Sequence, residues 1–140
     1  PKSKKVGDLI VTMKNVVVAS IEKTAVIMDF LNQSDKELKL AASSGEPSLT
    51  DEMGNIFRFA EYNGGRQYKY YNFRWEKDGV GLNAKSASSV TLYFRPEKIE
   101  NLKQIGSNFA VSFDYVLYDL KDKSESHQSV SFTDIKAQKN

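Results

Sequence analysis

The 140-residue chain is 40% hydrophobic and 27% charged, a composition that suits one domain with a single core and argues against two. It has no cysteine and one histidine, His127, which excludes a disulfide scaffold, thiolate metal sites, cysteine nucleophiles and multi-histidine centres. A formal net charge of +2 provides no strong attraction to nucleic acid or to an anionic membrane.

Residues 1–7 carry Lys2, Lys4 and Lys5 with no apolar period and are expected to form a flexible tail. The opening on Pro1 rather than Met suggests a processed or trimmed product, and no run of 18 apolar residues occurs in the chain. From Leu9 onward the dominant period is two, the spacing of a half-buried strand. Strands are expected at Leu9–Val18, then at Thr24–Leu31, where Val26, Met28 and Phe30 alternate with Ala25, Ile27 and Asp29. Further strands follow at Glu37–Ala41, Ile56–Tyr62, Gln67–Trp75 and Val90–Arg95. The clearest alternation sets Phe109, Val111, Phe113, Tyr115 and Leu117 against Ala110, Ser112, Asp114, Val116 and Tyr118, and a last strand is expected at Ser129–Ile135.

Turn chemistry separates these segments at Asn32–Asp35, Ser43–Pro47, Asp51–Asn55, Asn63–Gly65, Asp78–Gly81 and Asp119–Glu125, all rich in Gly, Asn, Asp or Ser. Pro96–Ile105 is the one segment expected to be helical, with Pro96 at its start, Glu97 and Glu100 in its first turn and Gly106 at its end. Residues 136–140 form a second polar tail, which leaves a single domain over residues 8–135. Seven or eight short strands with one brief helical insert predict an all-β antiparallel sandwich.

The order of motifs supports a resemblance. The strand ending Phe30-Leu31-Asn32-Gln33-Ser34 is followed by a short strand and then by Leu49-Thr50-Asp51-Glu52-Met53-Gly54-Asn55-Ile56-Phe57. Later come the Val90–Phe94 strand with Pro96 and the long alternating strand from Phe109. This order resembles the immunoglobulin-like sandwich domains of bacterial exported proteins and lipoproteins, over roughly Leu9 to Ile135. The resemblance implies a non-catalytic domain outside the cytoplasm that binds another protein or the cell envelope. It carries over no functional residue, because such domains share a scaffold rather than a site. The aromatic hairpin described below departs from that pattern.

The candidate residues for chemistry read as structure. Asp51 can accept from backbone amides two or three residues on, and Gly54 supplies a left-handed position, so Asp51–Asn55 closes a tight turn. A calcium site at Asp51 and Glu52 lacks the six to eight oxygen ligands that the ion takes. His127 stands near Ser126, Ser129, Asp119 and Asp122, yet no G-x-S-x-G elbow is present, and adjacent polar hairpin residues read as solvated turn residues. The Asp119–Glu125 segment lacks the glycine and ligand spacing of a calcium loop. Gly64-Gly65 and Gly79-Val80-Gly81 match no phosphate-binding spacing, and no carboxylate pair of the glycosidase kind stands out. No catalytic residue, metal or cofactor is therefore expected.

The most informative feature lies between Phe57 and Trp75, which holds half of the aromatic residues together with Arg58, Arg66 and Arg74, three of the four arginines. With Asn63-Gly64-Gly65 as a three-residue loop, Tyr62 pairs with Arg66, Ala60 with Tyr68 and Arg58 with Tyr70. Phe57, Phe59, Tyr71 and Phe73 then share the core face. The outer face consists of Arg58, Tyr62, Arg66, Tyr68, Tyr70 and Arg74. Tyrosine and arginine are enriched at interface hot spots, and equally they stabilise a twisted hairpin by stacking and cation–π contact. The expected function is a non-enzymatic binding or accessory module, exported from a bacterial cell, whose contact surface is this outer face. A protein or cell-envelope component is the expected partner. A carbohydrate-binding module and a hydrolase with an unmarked carboxylate site are the competing readings. Nucleic acid would demand more basic surroundings, and nothing in the sequence selects an oligomeric state.

Overall fold

Alternation of period two runs through nearly every strand of the computed structural model, which describes residues 2–42, 47–63, 67–69, 80–102 and 104–139. Eleven strands occur among the described residues: β1 (Lys2–Val6), β2 (Leu9–Ser20), β3 (Lys23–Asn32), β4 (Leu38–Ala42), β5 (Ser48–Asp51), β6 (Ile56–Asn63), β7 (Gln67–Lys69), β8 (Val80–Leu82), β9 (Ala87–Pro96), β10 (Asn108–Asp119) and β11 (Ser124–Lys139). One layer has the order β2-β3-β9-β6 and the other β4-β10-β11. These are the A-B-E-D and C-F-G orders of an immunoglobulin-like sandwich, so the expected fold class holds.

The two layers are also joined at their edges. Strand β5 pairs with both β6 and β10, and the end of β11 runs parallel to β2 over Ala137–Lys139. The hydrogen-bonded path therefore closes through seven strands. One edge of β10 is shared, with Phe109–Ser112 taken by β5 and Tyr115–Asp119 by β4.

The core lies between the layers. Phe109, Val111, Phe113, Tyr115 and Leu117 of β10 are all buried, as are Val26, Met28 and Phe30 of β3 and Val90, Leu92 and Phe94 of β9. Phe30 bridges the layers, with its ring centroid 6.1 Å from Phe113 and 5.6 Å from Tyr115, both edge-on. Each such fully buried side chain contributes about 1.5–3 kcal/mol through the hydrophobic effect. Asn32 is the polar staple of one end. Its Nδ2 donates to the Lys36, Leu82 and Asn83 carbonyls at 2.7, 3.1 and 3.3 Å, while its Oδ1 accepts from the Ser34 amide and hydroxyl.

Several expectations need correction. The strand number is larger than seven or eight because three short strands join the expected set: β1, held by its backbone ladder to β2, and β5 and β8, each with an alternate residue buried. Residues 2–6, expected as a tail, form β1, which pairs with β2 from Val6↔Leu9 to Lys2↔Met13 across a turn with Gly7 at φ +60°. Its lysines mark a protected edge, and Lys4 Nζ sits 5.4 Å from the Phe132 ring centroid. Residues 136–139 likewise continue β11. Val80, buried on β8 together with Leu82, stands where the Asp78–Gly81 turn was expected. The helical insert expected over Pro96–Ile105 is shorter than expected among the described residues: Pro96 pairs with Phe57 and the Glu97 amide donates to the Ile56 carbonyl at 2.9 Å, so β9 claims the residues that would start it. The described part of the insert is the 3-10 helix Ile99–Asn101.

Candidate binding face

Strand β6 begins the hairpin and fixes which of its side chains face outward. Phe57 and Phe59 are buried opposite Pro96 and Phe94 of β9, and the Phe59 ring meets Phe94 edge-on at 5.8 Å. The alternate residues Ile56 and Arg58 are consequently exposed. Arg58 Nη1 lies 3.2 Å from Glu97 Oε2, an ion pair with both side chains in contact with solvent. The residue directly across the ladder from Arg58 is Arg95, also exposed, and two positions along β9 lies half-buried Tyr93, with Lys23 Nζ 4.7 Å from its ring centroid. Beside this face a shallow hollow of about 180 Å³ is lined by Ile56, Pro96, Glu97, Lys98 and Leu102 among others.

The hairpin register differs from the sequence reading. Tyr62 pairs with Tyr68, Glu61 with Lys69 and Asn63 with Gln67, so the connection is residues 64–66 rather than Asn63–Gly65, and the pairings of Tyr62 with Arg66 and Ala60 with Tyr68 do not occur. A bulge between Phe59 and Glu61 also breaks the alternation: Phe59 pairs with Phe94, and beyond the bulge Tyr62 pairs with Leu92. The inference that Arg58 and Tyr62 share a face therefore loses its basis. Of the six expected contact residues, Arg58 is exposed and Tyr62 and Tyr68 are placed by register. Arg66, Tyr70 and Arg74 lie outside the described residues, as do the expected core residues Tyr71 and Phe73. Arg95 was missed, although its outward position in the Val90–Arg95 alternation was legible; its place opposite Arg58 was not.

The candidate carboxylates are engaged in turns. Asp51, nearly buried, accepts from the Met53 and Asn55 amides at 3.0 and 2.9 Å, from Asn55 Nδ2 at 2.8 Å and from the Gly106 amide at 2.8 Å. Gly54 sits at φ +85°, so the Asp51–Asn55 turn is built as expected. Glu52 clamps the start of β10 by accepting from the Ser107 and Asn108 amides. Burial is the largest influence on its carboxyl and raises its pKa, but those amide bonds together outweigh it and hold the group below its ordinary value. Asp119 is lowered as well, by the Asp122 amide first and then by Lys36, against an opposing effect of burial. Lys36 bridges Asp119 and Asp122 at 3.1 Å each. His127 is exposed on β11 and pairs with Glu125 at 3.6 Å rather than with a serine and an aspartate. Among the described residues no group of three or more His, Cys, Asp or Glu could hold a metal ion, and no helix is long and apolar enough to cross a membrane.

No family model and no curated protein matches the chain. Among solved structures, the GAE domain of yeast GGA1 is similar at a TM-score of 0.48 and 11% identity, covering 94% of this chain and 96% of that one. The ASH/PapD-like domain 7 of human CEP192 reaches 0.42 at 18% identity, over 91% and 87% of the two chains. The CooA pilin subunit of enterotoxigenic Escherichia coli reaches 0.39 at 12% identity, over 93% and 97%. At such scores and identities none of them assigns this chain a ligand, a partner or a compartment.

Proposed function

We propose that the chain is a non-enzymatic binding or accessory module, working outside the cytoplasm of a bacterial cell, that recognises a protein or cell-envelope component through the outer face of the hairpin begun by β6. One observation carries this reading: the exposed side of β6 presents Ile56 and Arg58 to solvent, while Asp51, Glu52 and Asp119 are committed to holding turns. A carboxylate saturated by amide donors is a poor general base, because proton uptake would forfeit those hydrogen bonds. Arg58 instead offers planar hydrogen bonding, and Tyr70 of the expected contact face would add large contact area.

Arg58→Ala and Tyr70→Ala test the proposal. Both variants are expected to weaken capture of the partner from an envelope extract while shifting the thermal midpoint little. Unchanged capture with a large drop in melting temperature would mean that the hairpin aromatics serve stability alone. Cell fractionation of the native protein tests the compartment, and recovery in the cytosolic fraction contradicts it.

A further inference from the structure

Arg58 and Arg95 are paired directly across the β6–β9 ladder and both are exposed. Directly opposed residues have Cβ atoms about 4.5–5.5 Å apart, and like charges in that relation destabilise the sheet. Glu97 answers one of them, at 3.2 Å from Arg58, and among the described residues Arg95 has no ion pair. On this side of the ladder Arg58, Arg95, Lys23, held over the Tyr93 ring, and Lys98, at the rim of the hollow, stand against Glu97 and against Glu61, the partner of Tyr93, so the local sign is still positive.

We infer that Arg58 and Arg95 form a two-pronged receptor for the carboxylates of an acidic peptide segment in the partner, an inference that rests on the reading of the β6 outer face as the contact surface. A guanidinium can meet a carboxylate through two parallel N–H donors, and Arg58 already donates to one carboxylate oxygen at the site, Glu97 Oε2 at 3.2 Å. An incoming carboxylate takes Arg95 and relieves the repulsion between the two cations, so the pair that costs stability in the free protein favours the complex. An extended acidic segment fits a flat sheet face, since side chains two residues apart lie on one side. Nucleic acid fits less well, because its affinity comes from many phosphate contacts and few cations are gathered here.

The test uses the full chain and fluorescein-labelled octaglutamate, with octaglutamine as the neutral control, read by fluorescence anisotropy at low salt. Octaglutamate is expected to bind and octaglutamine not to. Arg95→Glu should weaken binding by at least about tenfold, whereas Lys121→Gln on the β10–β11 turn should change it less than about twofold. Absence of octaglutamate binding, an equal loss with Lys121→Gln, or equally tight binding of duplex DNA would overturn the inference. Partner capture that is lost with Tyr70→Ala but kept with Arg95→Glu would also overturn it while leaving the hairpin contact intact. Capture insensitive to Arg58→Ala and Tyr70→Ala would remove the contact surface itself.

Discussion

Replacing Tyr115 by phenylalanine is expected to stabilise the protein. The Tyr115 side chain is fully buried at the centre of β10, with its ring 5.6 Å from both Phe30 and Phe113, and its hydroxyl has no hydrogen-bond partner among the described residues. An orphaned buried hydroxyl costs roughly 1–3 kcal/mol of desolvation that nothing repays, and phenylalanine keeps the ring that Phe30 and Phe113 pack against. The variant should therefore gain about 1 kcal/mol in urea unfolding, or about 2–5 °C in melting temperature. A second readout comes from pH. Burial raises the phenol from its ordinary 10.0 to about 12. The folded state thus keeps the proton that the unfolded state gives up. Stability from this source is intact below about pH 10 and is lost as pH climbs towards about 12, at about 1.4 kcal/mol per unit. The variant lacks that loss, so its advantage should widen in alkaline unfolding series. A variant less stable by more than about 1 kcal/mol, with a gap that stays flat above pH 10, would refute the reasoning by showing that the hydroxyl is hydrogen-bonded.

Asn32→Ala should be among the costliest single changes, because it leaves the Lys36, Leu82 and Asn83 carbonyls and the Ser34 amide without their partner at a fully buried position; a loss of roughly 3 kcal/mol or more is expected in denaturant unfolding. Gly106→Ala should dislodge Glu52, since a Cβ at residue 106 would overlap Glu52 Oε1 and break the clamp on Ser107 and Asn108. The lowered pKa of Glu52 means that its contribution is present above the unfolded carboxyl pKa and is lost as pH falls through the folded value. Wild-type protein should therefore lose stability in acid more steeply than Gly106→Ala, as followed by circular dichroism, and parallel acid curves would count against the clamp.

The strands with an apolar face were legible from sequence because burial selects every second side chain, as in Phe109 to Leu117. Strand β1 was not legible: apart from Val6 its side chains are exposed, and its order comes from backbone bonds to β2 that leave no side-chain signature. Pro96 read as a helix start because a proline satisfies both a first helical turn and a strand end, and the choice fell to Phe57, its partner across the ladder. The Asp51–Asn55 turn was readable since its donors and acceptor lie within five residues, whereas the Asp51 and Glu52 bonds to Gly106, Ser107 and Asn108 span more than fifty.

Composition and period two were sufficient by themselves for an all-β sandwich with a β10 core, and for an exposed Arg58 between two buried phenylalanines. Tertiary structure alone decided that β6 lies beside β9, that a bulge after Phe59 interrupts the outer face, and that Arg95 stands opposite Arg58. Side-chain periodicity is a property of one strand read along its length. Strand adjacency and register belong to pairs of segments distant in sequence, and they are settled by which ladder leaves the fewest polar groups unpaired and the most apolar surface covered.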